Sequence, residues 1–209
     1  MFSIIQAAGW PIWPLVACSI LALALVIERF ISLKTSKIAP PQLLEEVLSV
    51  CRTSVPAPDV VSQLEKNSAL GEVLASGFRA LNNSPRCSED DLRSSMEGAG
   101  RVVAHRLERY LSALATIASA APLMGLFGTV VGMIEIFGAQ TPAGGATGGN
   151  PAQLAHGISV ALYNTAFGLI VAIPSLIFWR YFRARVDEYL LTLELASERL
   201  VRHLNALRK

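Results

Sequence analysis

The sequence predicts an all-α integral membrane protein: three transmembrane helices with long cytoplasmic helical extensions, the N-terminus outside and the C-terminus inside. Composition is the first reason. Of 209 residues, 52% are hydrophobic and only 16% charged, and the mean hydropathy of +0.45 is too apolar for an ordinary soluble domain. The second reason is where charge is missing. Met1 to Ile27, Tyr110 to Ile134 and Ile136 to Trp179 contain no Asp, Glu, Lys or Arg, and each has room for the roughly 20 apolar residues that a bilayer helix needs. The third is where the basic residues fall. All 18 lie in two segments, 11 in 28–109 and 7 in 180–209, so by the positive-inside rule those segments are cytoplasmic and the N-terminus and the 138–157 loop face out. Disorder, a secreted disulfide scaffold and a large soluble catalytic domain are excluded on the same grounds. A net charge of +2 makes no case for nucleic acid.

Residues 1–27 hold the outer N-terminus and the first span, from about Trp10 to Ile27. Pro11 and Pro14 stand in its first turn, where a missing amide hydrogen costs least, and Trp10 and Trp13 suit the outer interface. The run ends in Glu28-Arg29-Phe30, with no basic n-region and no small-residue cleavage site, so it is expected to remain as an anchor.

Residues 28–116 are expected to form a cytoplasmic helical lobe and an extended helix. Pro40-Pro41, Pro56-Ala-Pro58 and Asn82-Asn-Ser-Pro85 divide the lobe into short helices around 42–51, 59–66 and 69–81, whose apolar face is too small to stand alone. Ser88-Glu-Asp-Asp91 matches a capping box. With no proline before Pro122, one helix is predicted from Glu89 into the second span, standing roughly 30–40 Å proud of the membrane.

The second span covers 117–137 and the third 158–179, with kinks predicted at Pro122 and Pro174. Between them, 138–157 is a glycine-rich, flexible outer loop. The tail, 180–209, is a cytoplasmic C-terminal helix behind the inner anchors Trp179 and Tyr181. Its stripe of Val186, Leu190, Leu193, Leu200, Leu204 and Leu207 needs a helical partner, most simply Val103, Leu107, Leu111 and Leu114.

Spans two and three both carry small residues at helical spacing. Gly125, Gly128 and Gly132 on one, and Ala161, Gly168 and Ala172 on the other, permit close helix approach. Such stripes pack the chain's own helices, join subunits or line a pore. Three helices enclose little space, so an ion path calls for a homo-oligomer or a second protein.

Polar groups in these spans are few. Thr129 and Thr165 sit beside the small stripes and offer a hydroxyl to water or a carboxyl group, or bond back to their own helix. Glu135, the one acidic residue between Arg109 and Arg180, relays a proton or stands in interfacial water. His156 reads as a loop histidine or a proton-exchange group, and Asn164 as helix-helix glue. Cys18, Cys51 and Cys87 have no CxxC spacing, so neither a disulfide nor a metal site is expected. No enzyme signature and no cofactor motif is present.

Pro122-Leu-Met-Gly-Leu-Phe-Gly-Thr-Val-Val-Gly-Met-Ile134 and Gly157-Ile-Ser-Val-Ala-Leu-Tyr-Asn-Thr-Ala-Phe-Gly-Leu-Ile-Val-Ala-Ile-Pro174 resemble the MotA/TolQ/ExbB proton-channel family, in its ExbB and TolQ branch. The resemblance implies a bacterial inner-membrane subunit, five copies of which surround a smaller single-span partner of ExbD or TolR type. That partner carries a membrane aspartate that takes and releases protons, and the work passes to the outer membrane through a TonB- or TolA-like protein. Thr129 and Thr165 correspond to the family's pore-lining threonines. Val160 departs from the pattern, because many ExbB and TolQ sequences carry a glutamate there. Glu135 is then the substitute within this chain.

Overall fold

The computed structural model describes residues 10–51, 56–84, 87–138 and 151–208. Among them the regular elements are eight α-helices: α1 (Ile12–Ser32), α2 (Thr35–Ile38), α3 (Leu43–Cys51), α4 (Pro58–Asn67), α5 (Ala69–Asn83), α6 (Glu89–Glu108), α7 (Leu111–Gly138) and α8 (Pro151–Arg208). The glycine-rich stretch 139–150 and the side chains of His156 and Leu207 lie outside the described residues. The chain divides into two compact units, one of Met1–Glu28 with Tyr110–Arg180 and the other of Arg29–Arg109 with Tyr181–Lys209.

The first unit is a bundle of three helical segments, each long and apolar enough to cross a membrane. Its interior is thin. Leu15 of α1, Ala121 of α7 and Ala172 of α8 meet at its centre, with Met124, Phe167 and Val171 packed around them. Large side chains such as Ile20, Leu23, Leu123, Ile134 and Ile170 point outward and are more than half exposed. An apolar coat of that extent is a liability in water and the normal surface of a bilayer helix. Pro122 and Pro174 both lie inside helices.

The second unit is built on α5, whose Leu70, Val73, Leu74, Ala75 and Phe78 are all buried. This helix packs against α4 and α6. Ser68 caps it by accepting from the Gly71 amide at 3.0 Å, and Gly77 lets Met96 of α6 come close, since a Cβ there would sit 2.9 Å from the methionine sulfur. The capping box at α6 is formed. Ser88 Oγ accepts from the Asp91 amide at 3.1 Å, and Asp91 Oδ2 accepts from the Ser88 amide at 3.0 Å. Along α8 the buried positions are Phe182, Val186, Tyr189, Leu193, Ala196, Leu200, Val201 and Leu204, while Val103 and Leu107 are buried on α6. Ion pairs from Arg93 to Glu198 at 3.0 Å and from Arg183 to Glu108 at 2.8 Å tie α8 to α6 on either side of that seam.

The structure changes three readings. Tyr189 takes a buried place on the α8 stripe and Leu190 is only half-buried. The ring of Tyr189 packs inward while its hydroxyl donates to the Leu33 carbonyl at 3.0 Å and receives Arg185 Nη2 at 2.7 Å, which an aliphatic side chain cannot do. A turn of helix at Thr35–Ile38 precedes the three lobe helices. Finally, the helix expected to run unbroken from Glu89 into the second span stops at Glu108 and restarts at Leu111. Arg109 turns out of helical geometry at ψ 137°, and Tyr110 has φ 69°.

Candidate polar site between the second and third spans

Thr129 and Thr165 are brought together by the closest approach of α7 and α8. The cause is the pair Gly125 and Gly168. A Cβ on Gly168 would stand 2.6 Å from the Ala121 carbonyl oxygen and 3.1 Å from the Gly125 Cα, and one on Gly125 would stand 2.8 Å from the Asn164 carbonyl oxygen. Backbone therefore lies against backbone, as small-residue interfaces in membranes permit. One turn beyond Gly125 and three residues before Gly168, the two threonines face each other.

Their Oγ1 atoms are 2.5 Å apart. Thr129 Oγ1 also lies 3.2 Å from the Gly125 carbonyl and 3.3 Å from the Ala161 carbonyl, and Thr165 Oγ1 lies 3.3 Å from the Gly125 carbonyl. Two hydroxyls have two protons, so one hydroxyl donates to its neighbour while the neighbour donates to a carbonyl. Either order satisfies both groups. The pair is thus a small hydrogen-bond switch, polar without fixed charge, and both side chains are half-buried.

The remaining predicted residues fall around this pair at different depths. Asn164 is buried, and its side chain fills the space that Gly128 leaves, where a Cβ would meet the Asn164 Cβ at 2.9 Å. Ala161 is buried against Gly132, at 3.2 Å from a Cβ built there. Ala172 is buried with Leu15 of α1 and Ala121 of α7. Glu135 is exposed on α7, six residues past Thr129, and the structure does not bring it to the threonines. Val160 is half-buried, and Ser159 donates to its own helix at Ala155. The small-residue stripe of α8 extends beyond Ala161 toward the helix N-terminus. Gly157 faces Ile136, with 2.7 Å from a built Cβ to the isoleucine Cδ1, and its four-residue spacing from Ala161 was the available signal.

Known proteins are similar in sequence to this chain. Residues 65–195 match the MotA/TolQ/ExbB proton channel family. The chain is 31% identical over 179 residues to an ExbB-like 3 biopolymer transport protein of Synechocystis, covering 86% of this chain and 83% of that one. It is 31% identical over 172 residues to the biopolymer transport protein exbB1 of Vibrio cholerae, covering 81% and 73%. To the Tol-Pal system protein TolQ of Pseudomonas aeruginosa it is 32% identical over 180 residues, covering 83% and 77%. With a family match across more than half its length, seated on the two helices that form the threonine pair, the chain belongs to the MotA/TolQ/ExbB proton channel family.

Proposed function

We propose that this chain is an ExbB/TolQ-like subunit of a proton-driven energy transducer in a bacterial inner membrane. It forms a homo-oligomeric ring, a pentamer on the family's pattern, around an ExbD- or TolR-type single-span partner. A TonB- or TolA-like protein then carries the work to the outer membrane, for transport or envelope maintenance. The N-terminus and the 138–157 loop face outward, and the basic segments stay in the cytoplasm. The observation that carries this reading is the paired hydroxyls of Thr129 and Thr165 at 2.5 Å, in the helices that match the family.

The physical argument concerns the partner's carboxyl group. An ionised carboxylate in hydrocarbon is costly, so a wall that is to host one through cycles of charge and neutrality must offer polarity without a competing charge. Two hydroxyls that exchange donor and acceptor roles meet that need. Each accepts from a protonated acid or donates to a carboxylate, with a backbone carbonyl accepting the hydrogen bond of a hydroxyl not so engaged. Glu135 is too exposed and too far along α7 to share in this pair, so the titrating group belongs to the partner.

Replacing both threonines by valine keeps shape and removes the hydroxyls. The Thr129→Val/Thr165→Val protein is expected to assemble with its partner yet lose all uncoupler-sensitive transport or envelope function. Retained function would remove the threonines from the proton path. Val160, standing where many relatives have glutamate, favours one other reading: a membrane scaffold of the same fold that conducts nothing. A co-purifying partner without a membrane aspartate would favour the scaffold.

A further inference from the structure

The seam between α6 and the last part of α8, within the second unit, is open on one side. A groove of about 360 Å³ runs along it, floored by the buried side chains of Val73, Met96, Leu193 and Val201. Gly100 lines the groove, and a Cβ on that residue would meet nothing within 4 Å. Glycine inside a helix is destabilising relative to alanine, and no close neighbour among the described residues requires one here. An apolar floor beside so low a wall is shaped to take side chains from outside the fold.

The ion pairs that tie the two helices fix the register of the groove. Arg93 is level with Glu198 and Glu108 with Arg183, so the helices run antiparallel, with Arg101 level with Leu190 and Glu97 with Glu194. The groove therefore has a basic end at Arg101 and an acidic end at Glu97, Glu194 and Glu198, where Arg93 is taken up by Glu198. Roughly a third of a turn further round, α8 carries a second apolar stripe. Leu191 and Leu195 are each 55% exposed, with Glu188 one turn before them and Arg199 one turn after, both exposed. This stripe points away from the groove of its own chain.

We infer that the stripe of one copy of this chain docks in the groove of the next, an interface that rests on the ring proposed above and gives it a contact beyond the spans. Copies of a membrane chain stand the same way up, and a ring axis along the membrane normal shifts none of them along it. Each residue therefore meets the neighbouring copy at its own level. Leu191 and Leu195 arrive on either side of the floor residue Leu193, Glu188 comes to Arg101, and Arg199 comes to the acidic end. Opposite charges at both ends set the register, while the apolar centre supplies the burial. Two different faces of one chain that fit each other make a heterologous contact, the kind that closes into a ring.

Disulfide trapping in native membranes tests this, with two differently tagged copies of the full chain expressed together. One carries Gly100→Cys and the other Leu191→Cys, level positions where open space or exposure tolerates the change. Oxidation is expected to yield a mixed-tag dimer above the background that the natural cysteines give in unsubstituted copies, since a disulfide needs Cα atoms within about 7 Å. Val102→Cys, at a site 62% exposed on the other side of α6, is expected to give no more than that background with Leu191→Cys. Equal yields from the two pairs would overturn the docking. So would no yield from the first pair in membranes where native mass spectrometry still finds the ring, and the ring would then stand without this contact. Absence of any ring would overturn both.

Discussion

A hydroxyl in a membrane helix ordinarily bonds back to the carbonyl one turn earlier, as Ser175 does to Val171 at 2.7 Å. Thr129 is different because a second helix supplies both another carbonyl and another hydroxyl. What distinguishes a candidate site residue here is the number of alternative partners and not its polarity. At the other end of the chemistry, Asp91 outside the spans has one fixed task. Bonds from the Ser88 hydroxyl at 2.7 Å and from the Ser88 amide hold its carboxyl below the ordinary value of 3.8. A carboxyl depressed in the folded state stabilises it fully above that value and ceases to as pH falls through the lower folded one. Acidification below pH 3.8 should therefore lower the melting temperature of the wild type more than that of Asp91→Asn. Parallel melting curves for the two proteins would show that the capping box is not titrating.

At the scale of helices, glycines have opposite values depending on what stands next to them. Gly168 is locked against backbone, with the Ala121 carbonyl 2.6 Å from a built Cβ, and backbone cannot swing aside. Gly168→Ala is expected to push α7 from α8 and destabilise the fold by about 1–3 kcal/mol. Gly98 on α6 has nothing within 4 Å of the same position, so Gly98→Ala is expected to stabilise by about 0.5–1 kcal/mol through helix propensity alone. Thermal unfolding of both variants in one detergent checks the pair, and shifts of the same sign would undo the assignment of close packing. Since Gly168 also sets the distance between Thr129 and Thr165, the first variant should lose function together with stability.

For the whole molecule, the three apolar segments of the membrane unit bury little of their own surface. The rest is apolar surface of the kind a bilayer covers. Native mass spectrometry of the complex drawn gently from its own membranes is expected to show several copies of this chain with a small single-span protein that carries a membrane aspartate. A monomer, or a homo-oligomer without such a partner, would move the reading to the non-conducting scaffold.

Hydropathy, charge distribution and caps are properties of neighbouring residues, so the sequence by itself determined the three spans, the lobe helices around 42–51, 59–66 and 69–81, which the structure places at 43–51, 58–67 and 69–83, and the Ser88–Asp91 cap. The family motifs likewise singled out Thr129 and Thr165. Tertiary structure alone decided which polar groups meet. It set Asn164 into the space at Gly128, left Glu135 apart from the threonines, and put Tyr189 into the stripe by giving its hydroxyl an acceptor, the Leu33 carbonyl, 156 positions earlier.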